Sequence, residues 1–270
     1  MQTINYADLD LEYLLQNNNN KFCIYKGHYD FYFKINIKDN NDKLVVFSNG
    51  AADRKRSELP LFMRHTWSDD INASCLYLDD RTIHDSKLMI GWGIGREDSH
   101  FLREVSLIIK KITLLLEIKS DNTYYYGSSA GGFMSMILSI KHRYSKAIVN
   151  NPQIILNNYI EGKPLSFIRN NFFKKYTHDE FLNKFPERIS VPYLMNEQNY
   201  VPRVLYIFNR ESIEDYEKQY LPFLEELNQY SIDPSKIEFL IYHHKGLGHN
   251  PLSKGRTIKI INGALEKVFL

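Results

Sequence analysis

The stretch Tyr124-Tyr125-Tyr126-Gly127-Ser128-Ser129-Ala130-Gly131-Gly132-Phe133-Met134-Ser135-Met136 constrains this chain more than any other. The aromatic residues favour an extended strand, and the run from about Phe133 to His142 favours a helix. Gly-x-Ser-x-Gly lies between them, so strand must become helix within a tight turn that a side chain at Gly127 or Gly131 would obstruct. Ser129 then sits at the turn in a strained conformation, held clear of its own backbone where a base can reach its hydroxyl. The helix points its first amides back at the same place, which makes the Ala130 N–H one half of a site for an oxyanion.

Composition narrows the alternatives. With 270 residues, 43% of them hydrophobic, the chain can bury a full core as one large domain, with or without an inserted cap. A formal net charge of +2 with scattered basic residues argues against nucleic acid as the main partner. Cys23 and Cys75 are the only cysteines; with no CxxC pair and no ligand cluster, neither a disulfide framework nor a metal site is expected. The run Gly91-Trp92-Gly93-Ile94-Gly95 lacks both GxGxxG and a following Gly-Lys-Ser/Thr, so no nucleotide or other cofactor is expected. The first residues have neither the basic nor the apolar region of a signal peptide, and no apolar stretch reaches membrane-spanning length. The expectation is a cytoplasmic protein without a membrane span.

Along the chain, residues 22–38 read as two extended segments around Lys26-Gly27-His28, an antiparallel start to a sheet. Leu44-Val45-Val46-Phe47 is a short, continuously apolar strand of the kind buried on both faces. It runs into Ser48-Asn49-Gly50-Ala51-Ala52, a small-residue turn whose Ala51 or Ala52 amide would supply the second oxyanion donor. Further strands are read at Ala73–Leu78, Ala147–Gln153, Val204–Asn209 and Ile237–His243. Helices are read at Arg103–Lys119, with Val105, Ile108, Ile109, Ile112 and Leu116 on one face, at Asp215–Gln229, and from about Ser253. Strands alternate with helices, which gives an α/β class with a mostly parallel central sheet flanked by helices. Residues 155–200 break the alternation with aromatics among Lys and Arg. They read as an inserted helical cap over Ser129, or more plainly as a surface helical hairpin.

Nine histidines are candidates for the base. Chains built on this turn follow the order nucleophile, acid, base, with the base in the loop after the last strand. His249, in Gly248-His249-Asn250-Pro251, fits; His243 and His244 lie on the strand itself. The acid belongs in the turn after Asn209, where Glu211, Glu214 and Asp215 are in reach. Asp215 is favoured over Glu211, although Ser212 and Asp215 could equally be a helix-capping pair. Leu59–Trp67 is dense in aromatic and basic groups, and Arg64 and Trp67 are candidates for substrate contact. Arg54, Arg56 and Arg64 on the oxyanion side would suit an acidic sugar or phosphate.

Taken together, Phe47-Ser48-Asn49-Gly50-Ala51, Pro60-x-Phe62-x-Arg64-x-x-Trp67, Gly91-Trp92, Tyr126–Phe133, Asn150-Asn151-Pro152-Gln153, Asn209 with Tyr216-Glu217-Lys218 and Pro222-Phe223, and His249 resemble a bacterial branch of the α/β-hydrolase superfamily. That branch occurs among proteins of capsule and cell-surface glycan biosynthesis and accessory secretion. The resemblance spans residues 44–250 and implies an α/β-hydrolase fold, Ser129 as nucleophile and His249 as base. It implies a serine esterase that removes an O-acyl group from a small-molecule or glycan ester, with O-acyl transfer or a non-catalytic binding role as alternatives. The chain departs from the pattern where an aspartate is expected three residues after Asn209: Ser212 stands there.

Overall fold

The computed structural model describes residues 1–266. Among them nine strands form one sheet: β1 (Gln2–Asn5), β2 (Lys21–Lys26), β3 (Tyr29–Asn36), β4 (Leu44–Phe47), β5 (Ser74–Leu78), β6 (Thr123–Ser129), β7 (Lys146–Pro152), β8 (Arg203–Asn209) and β9 (Ile237–Tyr242). Their order is β1-β2-β3-β5-β4-β6-β7-β8-β9. β3 runs antiparallel to both β2 and β5, and every other neighbouring pair is parallel. The sheet with its flanking helices is an α/β-hydrolase fold.

Side-chain alternation explains why the central strands read as unbroken apolar runs. In β4, Leu44 and Val46 face one layer while Val45 and Phe47 face the other, and in β6 Tyr125 is opposed to Tyr124 and Tyr126. All seven are at most 1% exposed, so each contributes roughly 1.5–3 kcal/mol of burial, an upper range because the unfolded chain is itself partly compact. The larger layer packs α2 (Phe101–Leu115), α3 (Ala130–Lys141), α6 (Val191–Glu197) and α8 (Leu221–Gln229) on the sheet. The smaller layer is closed by α9 (Lys254–Leu265) through Ile261, Ala264 and Leu265, with the 3-10 turn His65–Asp70 beside it.

Between β7 and β8 the chain is helical, with a 3-10 stretch at Leu156–Gly162 and the helices α4 (Lys163–Phe172), α5 (His178–Lys184) and α6. Phe173, Phe181 and Phe185 form an aromatic cluster that merges with the larger layer. The sequence pattern does not show β1 or the helix α1 (Leu11–Gln16). β1 is a four-residue edge strand without a fully buried residue, so it carries no period-2 signal to read. Cys23 and Cys75 are buried and free. No helix among the described residues is long and apolar enough to cross a membrane.

Candidate active site

The turn from β6 into α3 contains no spare residue. Ser129 has φ 55 and ψ −125, a conformation that costs about 1–3 kcal/mol and persists only where its surroundings impose it. Those surroundings exclude side chains at both flanking glycines. A Cβ at Gly127 would lie 2.1 Å from the Gly131 carbonyl oxygen, and a Cβ at Gly131 would lie 2.6 Å from that of Ser48. The strain lifts the Ser129 hydroxyl toward the loop after β9, where His249 Nε2 stands 2.8 Å from Ser129 Oγ.

On its far side the imidazole faces Asp215. His249 Nδ1 lies 2.7 Å from Asp215 Oδ1 and 2.8 Å from Oδ2, and the Ser212 hydroxyl donates to Oδ2 at 2.6 Å. Asp215 is the last residue of the short helix α7 (Ile213–Asp215) and is buried. Ser212 makes no side-chain capping bond to that helix; its hydroxyl serves the carboxylate. Glu211 is not brought to the imidazole. Its carboxylate lies 3.1 Å from His243 Nδ1 in a solvent-exposed pair. The Glu211 amide and the Ser212 amide both bond back to Asn209, which leaves residue 211 pointing outward while Asp215 comes round one turn later. Burial by itself would push the His249 imidazole down, but the hydrogen bond and charge of Asp215, with Glu214 adding to them, hold it above its ordinary value.

Three asparagines hold the loop that carries His249. Asn151 Nδ2 donates to the carbonyls of His249 at 3.0 Å and Asn250 at 3.2 Å, and Asn150 Oδ1 accepts from the Leu252 amide at 2.7 Å. Asn209 Nδ2 donates to the carbonyls of His244 at 2.9 Å and Gly248 at 3.0 Å, and its Oδ1 accepts from the His244 amide at 2.9 Å. Sequence reasoning registered these residues only as parts of a resemblance. A usable signal existed: adjacent asparagines closing a strand buried throughout must find partners outside the sheet ladder. Gln153, next along, also escaped notice as a site residue, although its Nε2 lies 3.2 Å from Ser129 Oγ.

On the oxyanion side, Ala130 opens α3 with its amide at the turn. Of the two alanines considered after β4, Ala52 commits its amide to the Met89 carbonyl at 2.6 Å, which leaves Ala51. Asn49 pins the following segment by accepting from the Met63 amide at 2.8 Å and donating to the Leu61 carbonyl. Arg64 is folded inward: its Nη2 donates to Ser128 Oγ at 2.7 Å, and the guanidinium lies 5.4 Å from the Trp67 ring and 5.3 Å from the Tyr126 ring. Arg54 and Arg56 are exposed, so the three arginines do not converge on one spot. Beside the His249–Asp215 pair is a hollow of about 140 Å3 lined by Asn158, Tyr159, Ile160, Glu214, Lys218 and Gln219.

In sequence the chain matches no family model and no curated protein. In structure it is similar to the capsule O-acetyltransferase of Neisseria meningitidis serogroup A, at 16% identity over 88% of this chain and 90% of that one, with a TM-score of 0.61. FphF, a fluorophosphonate-binding serine hydrolase of Staphylococcus aureus, superposes with a TM-score of 0.59 at 9% identity, covering 91% of this chain and 97% of its own. The S-formylglutathione hydrolase FrmB of the same organism gives 0.57 at 11% identity, with 92% and 96% covered. At these identities the likeness is one of fold, and it is the α/β-hydrolase fold.

Proposed function

We propose that this chain is a serine esterase that removes an O-acyl group from a bacterial surface glycan or its precursor through an acyl-enzyme. The observation that carries the reading is the hydrogen-bonded row Ser129–His249–Asp215 at 2.8 and 2.7 Å with Ser129 strained at the turn. In the first half-reaction Ser129 Oγ bonds to the ester carbonyl carbon as His249 Nε2 takes its proton. The carbonyl electron pair moves onto oxygen, which the Ala130 and Ala51 amides receive. The bond to the alcohol oxygen then breaks, and His249 returns the proton to the leaving alkoxide. Water, deprotonated by His249, attacks the acyl carbon; its bond to Ser129 Oγ breaks, His249 returns the proton to Oγ, and the carboxylic acid leaves. Asp215 accepts from His249 Nδ1 and so keeps the ring's other nitrogen turned to Ser129. Half-buried Trp67 is the aromatic contact for a sugar ring, and within residues 155–200 the stretch Leu156–Gly162 acts as the cap, its Tyr159 ring packed 5.9 Å from Trp92.

A second reading replaces water by a sugar hydroxyl, making the chain an O-acyltransferase. The likeness to a capsule O-acetyltransferase supports it. A non-catalytic binding role is disfavoured by the strain at Ser129, which a mere scaffold has no use for. Fluorophosphonate labelling of the purified protein, with Ser129→Ala and His249→Ala as controls, tests the common core of both enzymatic readings. Labelling should vanish in both variants, and a folded wild type that takes no label overturns the proposal. Turnover of p-nitrophenyl acetate with and without added glycan separates water from sugar as the acceptor.

A further inference from the structure

We infer that Gln153 is a positioning residue for the nucleophile: its side-chain amide, locked by Trp92, forces the Ser129 hydroxyl to present its proton to His249. The inference rests on the serine-enzyme reading above and adds to it a group outside the Ser–His–acid row.

The argument begins with which end of the amide faces which neighbour. Gln153 and Trp92 are both completely buried. An indole N–H only donates. Trp92 Nε1 meets Gln153 Oε1, and that contact fixes the amide orientation, which geometry alone often leaves open. Nε2 is thereby turned onto Ser129 Oγ, 3.2 Å away. The backbone agrees, since the Gln153 amide donates to the Ser129 carbonyl at 3.2 Å. Trp92 cannot drift either. Its φ is 52, the Gly93 amide donates to buried Asp80 at 3.1 Å, and a Cβ at Gly91 would lie 2.6 Å from Thr82 Cβ.

A serine hydroxyl has one proton and two lone pairs. Once a lone pair of Ser129 Oγ accepts from Gln153, the proton's partner among the described residues is the Nε2 of His249 at 2.8 Å. The hydroxyl is thus held in the one rotation that lets the base take its proton, before any substrate arrives. Such ordering removes a rotational search from the barrier.

The test is Gln153→Glu. The carboxylate keeps an oxygen for Trp92 but turns a second acceptor toward Ser129, which then competes with His249 for the hydroxyl proton. At pH 8 the rate constant of fluorophosphonate labelling should fall about a hundredfold, the low end of what a misdirected proton transfer costs. The gap to wild type should narrow as pH drops and the carboxyl takes up a proton. With p-nitrophenyl acetate the loss should lie in kcat with KM unchanged, because the amide acts on the serine and not on the ester. Trp92→Phe, which frees the amide to rotate, should label about tenfold more slowly and supplies the answer if Gln153→Glu fails to fold. Wild-type labelling rates in either folded variant at all pH values overturn the inference. A wild type that does not label fails the serine-enzyme reading itself, a different result.

Discussion

Replacing Asp215 by Asn removes one charge and almost no volume. In the wild type both Asp215 oxygens lie within 2.8 Å of His249 Nδ1, and Ser212 donates to one of them at 2.6 Å. An amide can satisfy Ser212 through either end, but when its NH2 group meets the imidazole, Nδ1 becomes the acceptor and the proton moves to Nε2. That nitrogen can then no longer accept from Ser129. A triad whose acid is replaced in this way loses about 10⁴ in kcat through the wrong tautomer. Here Glu214 still adds negative charge near the ring, so kcat should fall about 10³–10⁴-fold, or about 4–5.5 kcal/mol at 1.36 kcal/mol per tenfold. The assay is steady-state and single-turnover cleavage of p-nitrophenyl acetate, with Glu211→Gln run beside it. Because Glu211 pairs with exposed His243, that control should stay within about twofold of wild type, as surface pairs contribute little. A loss below about tenfold in Asp215→Asn, or an equal loss in Glu211→Gln, refutes Asp215 as the orienting acid.

Because His249 is held above its ordinary value by Asp215 against the pull of burial, the acid limb of kcat/KM should lie above about pH 6.5. In Asp215→Asn, where only Glu214 still opposes burial, the limb should move to lower pH, as a pH–rate profile would report. Linkage gives a second sign: a group whose folded pKa is raised stabilises the fold below its unfolded pKa and loses that contribution as pH rises through the folded one. Urea denaturation should therefore show Asp215→Asn more destabilised at pH 6 than at pH 9. Asn209→Ala strips three tethers from the loop of His249; it should cost about 2–4 kcal/mol by leaving buried groups unpaired and lower kcat more than it changes KM. Gly131→Ala drives a Cβ into the Ser48 and Asn49 carbonyls and should cost about 1–3 kcal/mol while slowing fluorophosphonate labelling well beyond what the loss of stability explains.

What could be read from the sequence follows from how strongly each element signals its own period. β4 and β6 are buried on both faces, so their apolar runs are unbroken, and the Gly-x-Ser-x-Gly turn leaves no choice of conformation around Ser129. His249 could be placed because a loop after the last strand is a topological address. The acid could not be fixed, since the choice among Glu211, Glu214 and Asp215 depends on which way the chain leaves Asn209, and that is decided by hydrogen bonds from residues 211 and 212 back to it. Gln153, Trp92 and Asn151 are polar groups satisfied by partners about 60 to 100 positions away. No local pattern encodes contacts over such distances. Arg64 misled for the same reason: a cationic side chain in a loop invites an open pocket, whereas this one is turned in on Ser128.

The displaced carboxylate bears on how enzymes are sorted from their inactive cousins. A column-by-column comparison would find Ser212 where an aspartate is expected and strike the chain off as dead. In space, oxygen atoms arrive beside the imidazole all the same, carried there by one further turn of backbone, and Ser212 steadies the newcomer with a 2.6 Å hydrogen bond. What such a turn has to preserve is a destination for two oxygens, and a short helix offers more than one position from which a side chain can get there. Verdicts of inactivity drawn from a single substituted letter should therefore wait until every carboxylate within reach of the histidine has been traced.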